Sequence, residues 1–374
     1  MRKNLITDLQ GIATQFELGG RFVSADRYGQ GHINDTFVVN VEKEHGNMRF
    51  ILQRINRHVF RDPGPLLHNI RRITEHLASK SDDSRACLTL VTSHDGVPFY
   101  QDEEGSYWRA YRFIEGACTY DEVESRSQAR EAAAMFGQFQ IQVSDLPGPR
   151  LHETIRDFHN TPARYRQFHT ARAVDEHDRA RHCIPEIEWA LAHEQAAGSL
   201  LALQEAGEIP ERVTHNDTKL NNVMFDEQSG KALCVIDLDT VMPGLALYDF
   251  GDLVRSATMT AAEDETDLSK VGMRMDYYEA LVDGYLSTTI SFLTDVEIEN
   301  LAISGRVITI ETGLRFLTDY LSGDEYFRIQ RPDQNLDRCR AQFALADSID
   351  EQLDAMHLAV TSGASRIRSE QRLR

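Results

Sequence analysis

The chain lacks what would stabilise it outside a reducing compartment. Its five cysteines, Cys87, Cys118, Cys183, Cys234 and Cys339, are scattered and odd in number, with no Cys-x-x-Cys. That argues against a disulfide framework and predicts free thiols in a cytoplasmic protein. The start, MRKNLITDLQGIATQF, has a basic pair but no continuous apolar run, so no signal peptide is expected. No stretch approaches the roughly 20 apolar residues of a membrane helix. Internal repeats and low-complexity segments are absent. Positive charge is also short: Lys+Arg 40 against Asp+Glu 59 gives −19. Such a chain is a poor partner for nucleic acid or an anionic membrane, whereas a cationic small molecule stays compatible. The 374 residues, 41% of them apolar, suffice for a large core and for two lobes. A monomer or weak dimer is expected.

Residues 4–18 carry apolar groups at helical spacing (Leu5, Leu9, Ile12, Phe16) and predict a leading helix. The period then changes, predicting strands over 21–28, 34–42 and 48–55 joined by short turns. A helix over about 65–79 follows Pro63-Gly64-Pro65, and two more strands are predicted near 86–92 and 106–114. Beyond Glu115-Gly116 helical patterns dominate, at 126–143, 153–172, 185–206, 275–289, 295–321 and 335–360, and the Arg-rich tail 366–374 is expected to fray. Thr294-Asp-Val-Glu297 reads as a capping box. One short β-region interrupts the helices, from Val213 through Val223–Phe225 and back along Ala232–Leu238. The expected fold is α+β and bilobal. A small antiparallel β-sheet N-lobe (1–114) meets a mostly helical C-lobe (115–374) carrying a catalytic β-hairpin. The hinge falls near 113–118 and the cleft between the lobes.

That hairpin carries the chemistry. Residues 215–222 read His-Asn-Asp-Thr-Lys-Leu-Asn-Asn, and 235–239 read Val-Ile-Asp-Leu-Asp. Phosphoryl transfer needs a carboxylate facing the attacking hydroxyl, with an amide oxygen and a second carboxylate on Mg²⁺. Asp217 fits the base. Asn222 and Asp237 fit hard oxygen ligands for Mg²⁺ on ATP. Asp239 is a second metal contact or a supporting group. Lys219 is placed to offset developing charge, and His215 to hold the loop by hydrogen bonds. Asp249-Phe-Gly251 spells the metal motif of protein kinases but lies 32 residues after Asp217 and follows Pro243-Gly244. It reads as the start of a helix, with Asp249 a cap or a brace for the catalytic loop.

In the N-lobe, the turn Tyr28-Gly29-Gln30-Gly31-His32-Ile33-Asn34 has two glycines that let backbone amides approach a phosphate. His32 and Asn34 could face the cleft. The third strand lacks the lysine found in protein kinases. Gln53 or Arg54 stands there, on opposite faces by strand alternation. Phe113 and Glu115 lie in the hinge, Tyr111-Arg-Phe-Ile-Glu115, which would offer backbone contacts to adenine.

These motifs resemble the aminoglycoside phosphotransferase and choline kinase superfamily, with its protein-kinase-like fold. Within it, the segments at 28–34, 108–115, 213–222, 236–244 and 315–324 are similar to those of the bacterial N-acetylhexosamine 1-kinases. The resemblance runs from about residue 10 to 345. It implies ATP-dependent phosphorylation of the anomeric hydroxyl of GlcNAc or GalNAc, with Asp217 as base and Asn222 and Asp237 on the metal. It also implies a sugar held by His32, Arg315 and Tyr326. From the residues alone, Arg315 equally suits ion pairs with Glu311 and Asp319 one helical turn away. Ser256 stands where the family suggests a bulkier residue near the sugar. Two other readings compete: a kinase of an aminoglycoside or choline-like amino alcohol, and a kinase-fold binding protein without turnover.

Overall fold

The computed structural model describes residues 9–29, 33–44, 46–57 and 59–373. Helix α1 (Leu9–Ala13) leads into an antiparallel sheet of β1 (Arg21–Arg27), β2 (Asp35–Lys43) and β3 (Gly46–Arg54). Helix α2 (Pro63–Ala78) intervenes before β4 (Leu90–Val91), β5 (Tyr100–Gln101) and β6 (Tyr107–Arg112) complete the sheet. The order is β1-β2-β3-β6-β4, with β5 also on β6. The helical part holds β7 (Ala117–Cys118), α3 (Arg126–Val143), α4 (Thr161–Val174), α5 (Ile184–Ala197) and α6 (Ser199–Glu205). Then come β8 (Arg212–Thr214), β9 (Val223–Asp226), β10 (Ala232–Val235), β11 (Met242–Gly244) and α7 (Ala246–Thr258). Helices α8 (Met275–Thr289), α9 (Asp295–Glu299), α10 (Leu301–Leu321) and α11 (Gln334–Arg372) close the chain. The α+β architecture expected from the sequence is present.

Strand alternation divides the sheet into two faces. Phe37, Val39, Phe50, Leu52, Trp108 and Ala110 point one way and form a core with Leu9, Ile12 and Phe16. Ile51 and Tyr111 point the other way, into the main core of the helical part. Helix α2 joins that main core through Leu66, Leu67, Ile70, Ile73 and Leu77. Its Asn69 donates to the carbonyls of His152 (2.8 Å) and Val241 (3.3 Å), fixing α2 beside the β10–β11 connection.

Several element boundaries differ from the sequence expectations. The described part of the leading helix is one short turn, and Phe16 instead bridges to Ser93. Helix α4 begins at Thr161 rather than 153. Asp157 adopts φ 53°, Asn160 caps the Ala163 amide, and Pro162 occupies the first turn. The pattern over 185–206 breaks at Gly198, and that over 295–321 breaks at Asn300. The Thr294–Glu297 capping box is present, opening α9. Helix α11 runs to Arg372 instead of fraying from 366. Ala364 and Ile367 are buried in the main core, and Arg366 and Arg368 pair with Asp283 and Asp295.

Candidate active site

The β9–β10 hairpin sets the geometry. Val223 lies opposite Val235, and the Ile236 amide donates to the Asn222 carbonyl at 2.9 Å. Asn222 and Asp237 therefore leave the hairpin at the same end. Pairing of β8 with β11 puts Thr214 opposite Met242 and brings the 215–222 loop over that end. Asn216 and Asp237 adopt left-handed backbone (φ 65° and 58°), which Asn and Asp tolerate better than most side chains.

The loop is held from beneath by α7. Asp249 accepts the backbone N–H groups of Asn216 (2.7 Å) and His215 (2.9 Å) and the Gln140 amide (2.6 Å). Its carbonyl accepts the Thr218 hydroxyl at 2.5 Å, and Asp252 accepts the Thr218 N–H at 2.8 Å. Asp249 is thus a buried brace; burial raises its pKa, and these donors and His215 oppose that rise. It does not cap α7, whose N-cap is Leu245. His215 donates from Nε2 to the Ile236 carbonyl (2.9 Å) and accepts the Asp217 N–H at Nδ1 (3.3 Å). A second brace comes from farther away. Glu311 on α10 accepts from His159 Nδ1 (2.7 Å) and the Thr161 hydroxyl (2.5 Å), while His159 Nε2 donates to the Asn216 carbonyl (3.0 Å).

Asp217, Lys219, Asn222 and Asp237 converge above these braces. Lys219 Nζ lies 3.0 Å from Asp217 Oδ1, and Asn222 Nδ2 donates to Asp217 Oδ2 at 3.1 Å. Burial would push Asp217 up, but Lys219 and His215 more than offset it and leave the carboxyl below its ordinary range. The Asp217 charge raises Lys219 in turn. Asp237 goes the other way. Burial, then Asp239 and Asp217, push its carboxyl up to about 7. A carboxylate crowded by two others is where a hard divalent cation relieves repulsion, so the donor set fits Mg²⁺. Asn222, with its amide nitrogen bonded to Asp217, would present its oxygen to the ion beside Asp237.

Asp239 is differently engaged. One carboxylate oxygen pairs with Arg109 Nη1, and the other accepts from Asn34 Nδ2 at 2.7 Å. Both oxygens are thus engaged, one by the sheet and one by the residue before β2, which agrees with the supporting role among the two expected of Asp239. Asn34, expected at the nucleotide, bonds here and accepts the Asn56 N–H at 3.0 Å. Gly29 has φ 71°, and no atom lies within 4 Å of the position a Cβ would take. Gly31 and His32 lie outside the described residues. Gln53 faces the helical part, donating to Thr36 (3.1 Å) and accepting Arg109 Nε (2.9 Å). Arg54 is on the opposite face, paired with Asp35 at 2.6 Å and near the Trp108 ring, so it does not share a nucleotide with Gln53. Phe113 lies under the Arg49 guanidinium (3.8 Å to the ring centroid) with Tyr28 at its edge (5.6 Å). Glu115 is exposed and bonded to Arg49, and the Phe113 N–H donates to the Arg49 carbonyl.

Arg315 and Tyr326 come together. The Arg315 guanidinium sits 5.1, 5.9 and 5.4 Å from the rings of Phe158, Tyr326 and Phe327. The helical ion pairs do not form. Glu311 is held by His159 and Thr161, and Asp319 accepts the backbone N–H groups of Tyr326 and Phe327. Tyr326 is 54% exposed, which excludes a core-capping role. Arg255 pairs with Asp252 (2.8 Å) and Glu263 (3.3 Å). The sequence reading missed Arg109, Thr218, Asp252, His159 and Glu311. Arg109 lay inside a noted segment, and its registry with Gln53 was the available signal; His159 and Glu311 are 152 residues apart and carried none.

Residues 24–288 match the phosphotransferase enzyme family APH, and the chain belongs to that family. Solved structures with a similar fold include an aminoglycoside phosphotransferase from Alicyclobacillus acidocaldarius (12% identity, 96% of each chain covered, TM-score 0.59). A microcompartment-associated aminopropanol kinase is also similar (15% identity, 93% of this chain and 98% of that one, TM-score 0.55). So is a choline kinase from Cryptosporidium parvum (16% identity, 91% and 93%, TM-score 0.53). At these identities the likeness is one of fold.

Proposed function

We propose that the protein is an ATP- and magnesium-dependent kinase acting on the anomeric (C1) hydroxyl of an N-acetylhexosamine, GlcNAc or GalNAc. The observation that carries the phosphoryl transfer is the convergence of Asp217, Asn222 and Asp237 at one hairpin end, with Lys219 3.0 Å from Asp217. In this reading residues 1–114 hold the nucleotide, and 115–374 hold the metal and the acceptor. Asp217 orients the acceptor hydroxyl and takes its proton as the bond to phosphorus forms. A low pKa suits that role, because a loose transition state asks for little early deprotonation. Lys219 lies where negative charge develops on the transferred group. Asn222 and Asp237 hold Mg²⁺, which when bound neutralises charge on the phosphates.

The acceptor side supports a neutral substrate. Three acids of this region are matched within the protein: Asp217 by Lys219, and Asp252 and Glu263 by Arg255. An ammonium group is best held by an unmatched carboxylate. A sugar is held by donors beside aromatic faces, which Arg315, Tyr326, Phe158 and Phe327 offer. The resemblance adds His32 to these contacts. The −19 net charge favours a second reading, an aminoglycoside or choline-like amino alcohol as acceptor. Full-length protein with ATP and Mg²⁺, offered GlcNAc, GalNAc, glucose, kanamycin and choline in turn, separates them by ³¹P NMR. An anomeric phosphate signal with an N-acetylhexosamine is expected. Turnover with kanamycin or choline alone would overturn the sugar assignment.

A further inference from the structure

We propose that Arg109 is the nucleotide-phosphate cation of the β-sheet, replacing the lysine that β3 lacks, and that Asp239 is the carboxylate that holds it in place. The inference rests on the kinase reading above and concerns how such a site is built without that lysine.

Three observations lead to it. The first is position. Arg109 on β6 is the direct partner of Gln53 on β3, so it stands one strand away on the same face, toward the hairpin. The guanidinium lies over the Tyr111 ring (5.3 Å to its centroid) and faces Asp239 and, at longer range, Asp237, so it lies against the loop proposed to hold the metal. The second is state. The side chain is 1% exposed, and burial works against its charge, but the Asp239 carboxylate more than offsets that and keeps it protonated. A buried arginine is costly unless its donors are used. Nε on Gln53 and Nη1 on Asp239 use two of the five N–H groups, and the planar fork suits a phosphate beside them. The third is the source of the counter-ion. In protein kinases a helix glutamate orients the lysine. Here α2 carries one acid, Glu75, which is exposed and lies near Arg71 on the same helix. Asp239 supplies the carboxylate instead, which is why it is not free to ligate the metal. Asn34, on the other Asp239 oxygen, closes the pair from the glycine turn. A nucleotide reaching Arg109 must part Asn34 from Asp239 while leaving the ion pair.

Calorimetric titration of the full chain with ADP plus Mg²⁺, and separately with adenosine, tests this without any acceptor. Arg109→Gln is expected to weaken Mg·ADP binding about 10- to 100-fold, the size of a charge-assisted contact, and to leave adenosine binding unchanged. Arg109→Lys keeps the charge but not the fork and should fall between, which covers the case in which the glutamine variant does not fold. Asp239→Asn should weaken Mg·ADP without altering the Mg²⁺ concentration needed for half-saturation. Equal losses for ADP and adenosine would reduce the pair to a strut between sheet and hairpin and overturn the inference. So would an Asp239→Asn effect confined to Mg²⁺ dependence. A wild-type chain that binds no Mg·ADP would overturn the kinase reading itself.

Discussion

Asp217 and Asp249 are two acids of one loop system, the first part-exposed and the second buried, and their neighbours give them opposite tasks. Asp217 faces Lys219, which holds its carboxyl below the ordinary range, and the side chain stays 23% exposed and so within reach of a hydroxyl from solvent. Asp249 faces backbone N–H groups and is fully used by them. Asp217→Asn should therefore retain nucleotide binding and lose at least ~10²-fold in kcat, the usual weight of a positioned base. Steady-state kinetics beside ADP titration checks this, and unchanged turnover would remove Asp217 from the chemistry. Asp249→Ala should act through stability, because it strands two buried N–H groups at roughly 1–3 kcal/mol each. A clear fall in Tm by calorimetry is expected, with kcat falling because the loop loosens. A variant as stable as wild type would show that water replaces the brace. The motif around Asp217 was legible from spacing alone. Whether Gln53 or Arg54 faces the cleft was not, because alternation gives two faces without saying which one the helical part covers.

At the scale of elements, α7 shows why Asp249-Phe-Gly251 is not the metal motif it spells. Its glycine serves helix packing. A Cβ on Gly251 would stand 2.5 Å from the Ser304 carbonyl oxygen of α10, and one on Gly305 of α10 would stand 2.6 Å from Val254 Cγ1 of α7. The two helices meet through reciprocal small residues, and Phe250 beside them is wholly buried. Gly251→Ala should cost about 1–3 kcal/mol by overpacking. Denaturant unfolding would measure the loss, and a shift near zero would mean that α7 and α10 separate freely. Because α7 carries both Asp249 and Asp252, activity should fall more than stability alone explains. The helices themselves were readable from periodicity. Their breaks at Gly198 and Asn300 were not, since neither position interrupts the apolar pattern strongly. The reach of α11 to Arg372 depends on Ala364 and Ile367 finding the main core, which no local rule states.

Across the whole molecule, the site is assembled from distant parts of the chain. Gln140 on α3, His159 before α4, Asp249 on α7 and Glu311 on α10 all bear on residues 215–218. The Glu311–His159 link makes a pH prediction. Burial pushes Glu311 up, but His159 and the hydrogen bonds from His159 and Thr161 more than offset it, so its folded pKa lies below the ordinary value. The resulting stabilisation is present above the unfolded pKa, about 4.3, and is lost as pH falls through the lower folded value. The Tm gap between wild type and Glu311→Gln should therefore be largest near neutrality and narrow below about pH 4. A gap that widens in acid would reverse the sign and refute the assignment.

The sequence by itself determined the α+β order of elements and the spacing that sets Asp217, Asn222 and Asp237 at one hairpin end. Both are local properties: hydrophobic period in one case, spacing within one hairpin in the other. Only the tertiary structure decided what surrounds them. It set Asp239 against Arg109 and Asn34, seated Arg315 among three rings instead of in a helical ion pair, and made Asp249 a brace. Each of those outcomes is a competition for one polar group among partners far apart in the chain, and the winner depends on which surfaces the packed core brings within hydrogen-bonding distance.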